Sequence, residues 1–164
     1  MKAMISGSFD PVTRGHEDLI RRAAALFDRV EVVIFRNTKK HALFPTEQRL
    51  AFLRTVCVDL ANVTVTASDG TVAGYTRENG IDCVIKGVRD GGDLAYEQDM
   101  AHLNRLAGGA ETLLLPTDPA LSFVSSGAVR EFLLRGLPAA KMLPASVADA
   151  VLRAYAALTD NRNR

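Results

Sequence analysis

Apolar positions along this chain alternate between two rhythms. Short runs at residues 3–6, 30–35, 81–86 and 111–115 are rich in β-branched, aromatic or small apolar side chains and predict strands. The second of these is almost wholly β-branched or aromatic, as expected of a strand covered on both faces. Residues 62–67 alternate Val with Thr instead, which predicts a strand nearer an edge. Between the strands the spacing lengthens to three and four. Leu19, Ile20, Ala23, Ala24, Leu26 and Phe27 mark the inner face of a first helix, with Arg21, Arg22 and Asp28 off it. Pro45-Thr46-Glu47 supplies helix-start signals ahead of a stripe at Leu50, Leu53, Val56 and Cys57. Further helices are predicted over 71–79, closed by Gly80, then over 93–106, from Ser125-Ser126-Gly127 to Arg135, and over about 146–158.

Strand and helix in strict alternation, joined by right-handed crossovers, predict an α/β fold: a Rossmann-like, doubly wound parallel sheet. Ligands of such sheets bind beyond the carboxyl ends of the strands, where the strand order reverses. The first strand is expected to end at Gly7 and the fourth at Lys86, so the loops after them fall on that edge.

Length and charge narrow the picture. At 164 residues and 48% hydrophobic, the chain suits one domain, residues 1–164, and is too short for two ordinary ones. Twenty basic residues against nineteen acidic leave a net charge of +1, too little for a broad cationic surface on which nucleic acid would lie. Any phosphate binding must be local. Met1-Lys2 leads into only a few apolar residues, no run approaches membrane-spanning length, and a cytoplasmic, soluble protein is expected. Cys57 and Cys83 sit in apolar surroundings without a CxxC or Cys/His cluster and read as core residues. His41 and His102 are isolated, and no zinc or calcium motif is present.

Candidate chemistry gathers after the first and fourth strands. Gly7-Ser8-Phe9-Asp10-Pro11-Val12-Thr13-Arg14-Gly15-His16 reads as a strand end, a tight turn and a helix with a histidine in its first turn. Free backbone N–H groups, the positive end of a helix dipole and an imidazole donor then share one spot, which suits a nucleotide's phosphates. His16 is expected to be exposed there. Gly7 and Pro11 shape the turn, while Ser8 reads either as an ordinary turn residue or as a hydroxyl facing the pocket. The segment Lys86-Gly87-Val88-Arg89-Asp90-Gly91-Gly92 places two cations and three glycines after a strand; it is not a Walker A loop, and Lys86 and Arg89 are close enough to converge on one anion. Lys39-Lys40-His41 follows the second strand on the same edge.

The string GSFDPVTRGH resembles the GxFDPxTxGH signature of the nucleotidyltransferase superfamily related to class I aminoacyl-tRNA synthetases. With the lysine-containing segment ending at Phe44, IKGVRDGGDLAYEQDMAHLNR from Ile85 to Arg105, and SFVSS from Ser122 to Ser126, nearly the whole chain resembles the bacterial phosphopantetheine adenylyltransferases. Thr13 fits their TxGH better than the HxGH of nicotinamide mononucleotide adenylyltransferases. The resemblance implies a nucleotidyltransferase-type fold, adenylyl transfer from ATP to 4'-phosphopantetheine with Mg2+ as cofactor, and a homohexamer. It implies catalytic roles for His16, Lys40 and Arg89, and an acceptor site at Ser8, Lys40, Val72 and Lys86. For ATP it implies Ser8, Phe9, His16, Gly87, Val88, Arg89 and Glu97, with Leu121, Ser122, Phe123, Val124, Ser125, Ser126 and Gly127.

No protein metal ligand is implied, nor any nucleic-acid or membrane partner. The chain departs from the family's pattern at Thr38, Leu94-Ala95, Leu121 and Gly127, positions that touch base packing and affinity more than reaction type. The attacking phosphate is already ionised at neutral pH, so no general base is required; the work is to align two anions and stabilise the charge that builds up. Competing readings are a different adenylyl- or cytidylyltransferase of the same fold and a non-catalytic nucleotide sensor. A synthetase fragment lacks its KMSKS loop and anticodon domain here.

Overall fold

The computed structural model describes residues 1–36 and 41–162. Five strands, β1 (Lys2–Gly7), β2 (Arg29–Phe35), β3 (Val63–Ser68), β4 (Cys83–Val88) and β5 (Glu111–Pro116), form one parallel sheet in the order β3-β2-β1-β4-β5. The order reverses at β1, where Ile5 pairs with Val32 on one side and Ile85 on the other. Six helices connect and flank the strands: α1 (Arg14–Leu26), α2 (Thr46–Val56), α3 (Val72–Glu78), α4 (Gly91–Leu106), α5 (Ser126–Leu134) and α6 (Ala148–Arg162).

Strand side chains alternate between faces, so the two sides of the sheet collect different cores. Ala3, Ile5, Val30, Val32, Ile34, Cys83 and Ile85 join Ile20 and Ala23 of α1, Leu50 and Leu53 of α2, Val129 and Leu133 of α5 and Val151 of α6 in the main cluster. On the opposite face Met4, Val33, Ile81 and Val84 form a smaller cluster with Phe35 and, from α3, Val72 and Tyr75. Cys57 and Cys83 are both buried free thiols, and burial pushes the Cys57 thiol up to about 11, so both serve as core residues.

Helix ends follow their side-chain chemistry. Thr13, Asp90 and Ser125 cap α1, α4 and α5 by accepting N–H bonds at the third helical residue, and Thr71 caps α3 in the same way. Three expectations need correction. β4 does not end at Lys86 but runs to Val88, because Lys86, Gly87 and Val88 find ladder partners in Leu114, Leu115 and Pro116. Leu26 is two-thirds exposed: α1 ends there, and Phe27 turns inward as an extended cap. The last helix starts at Ala148 and reaches Arg162, beyond the residue 158 that periodicity marked.

Between β1 and α1 the chain makes its one positive-φ excursion outside glycine among the described residues, at Phe9, with φ of 46°. This left-handed conformation is uncommon for a bulky residue. The Phe9 ring folds back over Gly7, where an added Cβ would lie 3.1 and 3.2 Å from ring carbons. Gly7→Ala should therefore cost about 1–3 kcal/mol through overpacking against the buried Phe9 ring. Gly127, whose added Cβ would meet nothing closer than 3.7 Å, is the matched control. Gly127→Ala should be neutral or gain up to about 1 kcal/mol of helix stability. Urea unfolding of the two variants checks both; equal stability would show that the ring does not need Gly7.

Candidate active site

A pocket of about 430 Å³ opens at the carboxyl ends of β1 and β4, where the strand order reverses. Ser6, Gly7, Ser8 and Phe9 line it from β1 and the following turn, and Lys86, Gly87 and Arg89 from β4 and its end. Gly15 and His16 enter from α1, Asp93, Tyr96 and Glu97 from α4, and Val124, Ser125 and Ser126 from the loop into α5. A larger groove of about 880 Å³ lies elsewhere, between α1, the end of α2 and the segment leading into α6, and none of the described residues assigned by resemblance lines it.

His16 is the third residue of α1 and half of a reciprocal cap. Its backbone N–H donates to Thr13 Oγ1 at 3.4 Å, and the Thr13 backbone N–H donates to His16 Nδ1 at 3.0 Å. A ring nitrogen that accepts carries no proton, so the proton resides on Nε2 and the ring is a neutral donor. Burial, reinforced by the charge on Arg89, pulls its pKa down to about 4. The ring also meets Phe9 edge to face, with centroids 4.9 Å apart. The sequence-based expectation of an exposed first-turn histidine is thus corrected: His16 is half-buried and held on two sides.

Among the described residues, Arg22, Lys86 and Arg89, the arginines and lysine that line the pocket, each face a carboxylate. Arg89 donates from Nε and Nη2 to the two oxygens of Asp93 at 2.6 and 3.0 Å, a bidentate pair four residues apart. That contact holds the Arg89 guanidinium above its usual pKa and Asp93 below the usual carboxylate range. Lys86 Nζ lies 3.7 Å from Glu97 Oε2 and donates to the Ser6 carbonyl at 3.4 Å. Arg22 Nη1 lies 3.3 Å from Asp18 Oδ2 and also donates to the Pro116 carbonyl at 2.8 Å. Lys86 and Arg89 do share one pocket, as expected, but an arriving phosphate must exchange with the carboxylates already there.

The two serines of the loop into α5 are committed to structure. Ser125 Oγ accepts from the Ala128 N–H at 3.0 Å, and Ser126 Oγ donates to the Pro11 carbonyl at 2.8 Å, stitching this loop to the turn after β1. Ser8 is exposed at the pocket's edge, and its carbonyl accepts from Arg49 Nη1 at 2.7 Å.

Of the remaining residues singled out by resemblance, Val72 packs on the opposite face of the sheet, outside this pocket. Val88 belongs to the end of β4, and Leu121 is buried in the main core. Ser122 and Phe123 are exposed and do not line the pocket, and Gly127 lies in the first turn of α5. Lys40, with Thr38 and Lys39, lies outside the described residues.

Sequence reasoning missed Asp93, Asp10 and Arg49. Asp93 had a signal, an acid four residues after Arg89 at a helix start. Asp10 and Arg49 had none beyond their charge. Among the described residues no three metal-ligating groups gather, and none of the helices is long and apolar enough to cross a membrane.

Comparison with known proteins gives the family. Residues 4–132 match the Cytidylyltransferase-like family model. A phosphopantetheine adenylyltransferase of Cutibacterium acnes is 40% identical over 92% of this chain and 96% of its own length. One of Shouchella clausii is 41% identical over 94% and 98%. In fold, the chain is similar to a Vibrio parahaemolyticus structure assigned as a nicotinate-nucleotide adenylyltransferase, with a TM-score of 0.62 at 14% identity, covering 92% of this chain and 97% of that one. With such identity sustained along nearly its full length, the chain belongs to the phosphopantetheine adenylyltransferase family and is a nucleotidyltransferase.

Proposed function

We propose that this enzyme transfers the adenylyl group of ATP to 4'-phosphopantetheine, giving dephospho-coenzyme A and pyrophosphate, by direct in-line displacement. The observation that carries this reading is the convergence of Ser8, neutral His16, Lys86 and Arg89 on one pocket at the switch between β1 and β4. A phosphate oxygen of the acceptor forms the new bond to the α-phosphorus as the bond to the β-phosphate oxygen breaks. No proton changes hands, so neither a general base nor a covalent enzyme intermediate is needed. His16 donates from Nε2–H to a non-bridging α-phosphate oxygen, where charge builds as the phosphorus becomes five-coordinate. Arg89 exchanges Asp93 for the departing pyrophosphate, and Lys86 with Ser8 and Lys40 steadies the acceptor phosphate.

Magnesium fits this pocket as a companion of ATP. The pocket's carboxylates, Asp18, Asp93 and Glu97, each face a cation, so the ion is to be held by phosphate oxygens and water, as is usual for magnesium. Bound there, it supplies positive charge that screens the triphosphate from its attacker. The enzyme is proposed to work in the cytoplasm, where ATP is held.

A homohexamer is also proposed. No residue of α4 is buried, and Tyr96, Leu103 and Leu106 on it are 62, 58 and 84% exposed. No residue of β5 is buried either. Exposed apolar surface of that extent calls for a covering partner. Sedimentation velocity is expected to give about six times the 17.7 kDa chain mass. A monomer would leave that surface unexplained and overturn this part of the proposal.

Turnover tests the reaction itself. Protein mixed with ATP, magnesium and phosphopantetheine should release pyrophosphate and dephospho-coenzyme A, whereas comparable turnover with CTP or nicotinate mononucleotide would reassign the substrates. His16→Ala should lower kcat by roughly 10²–10³, with KM for ATP changed far less, because the donor acts mainly in the transition state. Since His16 also completes the cap of α1, the variant should lose about 0.5–2 kcal/mol of stability and remain folded. A folded His16→Ala protein with near-normal kcat excludes the role given to this residue.

The depressed pKa of His16 makes stability depend on pH. Unfolded, the imidazole takes up a proton below about 6.5; folded, it resists until about 4. The unfolded state therefore binds more protons between these values, and the stability due to His16 falls as pH drops from about 6.5 to 4. It is constant above that window. His16→Gln should flatten this part of the profile in urea unfolding at successive pH values. Unchanged curvature between wild type and His16→Gln would contradict a buried neutral imidazole.

A further inference from the structure

We propose that Arg49 of α2, which does not line the pocket, is a positioning residue for His16, acting through the backbone of the turn after β1. Arg49 is 7% exposed, and its guanidinium serves three acceptors. Nη1 donates to the Ser8 carbonyl at 2.7 Å, Nε to the Phe44 carbonyl at 3.0 Å, and Nη2 to Thr46 Oγ1 at 3.0 Å. Asp10, 4% exposed, completes the clamp from the other side of the turn. Its carboxylate accepts the Leu43 N–H at 2.7 Å and the Phe44 N–H at 2.9 Å, while Arg130 Nη1 donates to its carbonyl at 2.7 Å.

Between the two clamped residues stands Phe9, with its left-handed φ of 46°. A bulky residue keeps such a conformation only where its surroundings over-determine it. Here the carbonyl before it is pinned to Arg49 of α2, and the residue after it to the segment leading into that helix. The Phe9 ring is in turn wedged between Gly7 and the edge of the His16 imidazole. Release of the Ser8 carbonyl lets Phe9 relax toward an ordinary backbone conformation and carries its ring away from His16. The imidazole then loses one of the two contacts that orient it. A reacting group displaced by about 1 Å can lose up to 10²-fold in rate, so a contact outside the pocket can govern turnover.

Arg49→Lys and Arg49→Met test this, with Leu53→Ala, a fully buried position on the same helix, as the control for general loosening of α2. Lysine keeps the charge but cannot reproduce a planar fork aimed at three acceptors. At a temperature where each variant is folded, Arg49→Lys should lower kcat about tenfold or more and change KM for ATP by less than about threefold. Nitrogen-detected NMR of the imidazole should show His16 leaving its single Nε2–H tautomer, or titrating nearer 6.5, in the Arg49 variants and not in Leu53→Ala. If Arg49→Met does not fold, the lysine variant decides.

Wild-type kcat and an unchanged His16 tautomer in folded Arg49→Lys would overturn the inference, leaving Arg49 a buried structural charge. Equal losses of kcat in Leu53→Ala would overturn it as well. Only the kinetic readout rests on the proposed function. If wild-type protein fails to use ATP and phosphopantetheine, that reading falls alone, and the imidazole spectra still decide the role of Arg49.

Discussion

The carboxylate of Asp10 and the guanidinium of Arg49, both buried, hold the turn after β1 against the segment that leads into α2 through backbone atoms on either side of Phe9. Burying two charges is costly, and such groups are weak contributors to net stability even when well paired. Burial pulls the Arg49 pKa down while Asp10 opposes that shift, and each of the three guanidinium nitrogens donates one hydrogen bond. What the arrangement secures is geometry. Hydrogen bonds to charged groups are short, directional and lost together, so the turn has one conformation rather than several. From it follow the position of Ser8 at the pocket's edge, the placement of the Phe9 ring, and the Thr13–His16 cap that opens α1.

A second constraint is electrostatic. The pocket pairs Arg22 with Asp18, Lys86 with Glu97 and Arg89 with Asp93. A site for two anionic substrates that held three unpaired cations would repel itself in their absence. Internal carboxylates relieve that repulsion and fix the long side chains in place, at the cost of competing with phosphate. Binding at such a site is an exchange of ion pairs, and its net gain is smaller than the number of cations suggests. The neutral His16 stands apart from this exchange. It offers a donor without a charge of its own, which in the proposed mechanism would act chiefly as charge grows on the α-phosphate.

The two faces of the sheet are unequal. Helices α1, α2, α5 and α6 cover one with a continuous core, while the other has four buried residues in its cluster and leaves α4 without a single buried residue. A parallel sheet is ordinarily buried on both faces. The thinly covered side leaves Tyr96, Leu103 and Leu106 exposed on α4, and it is the face on which the proposed homohexamer rests.

The sequence by itself determined the order of elements, the parallel sheet, the switch point and the turn that carries His16, because these rest on local periodicity, capping and turn chemistry. The string Gly7 to His16 and the cations Lys86 and Arg89 were legible at that level; the cap formed by Thr13 was not read from it. The end of β4 was not, since a glycine-containing strand end reads as loop until β5 supplies ladder partners for Lys86, Gly87 and Val88. Nor was the burial of His16, which depends on a Phe9 ring placed by a left-handed turn. Ser125 and Ser126 read as a helix start, and Ser125 does cap α5, but the bond from Ser126 to the Pro11 carbonyl, 115 residues away along the chain, was not legible. Arg49 and Asp10 were silent for the same reason. Their partners are main-chain atoms, which every residue possesses, and only tertiary structure decides which carbonyl or N–H stands within reach of a buried charge.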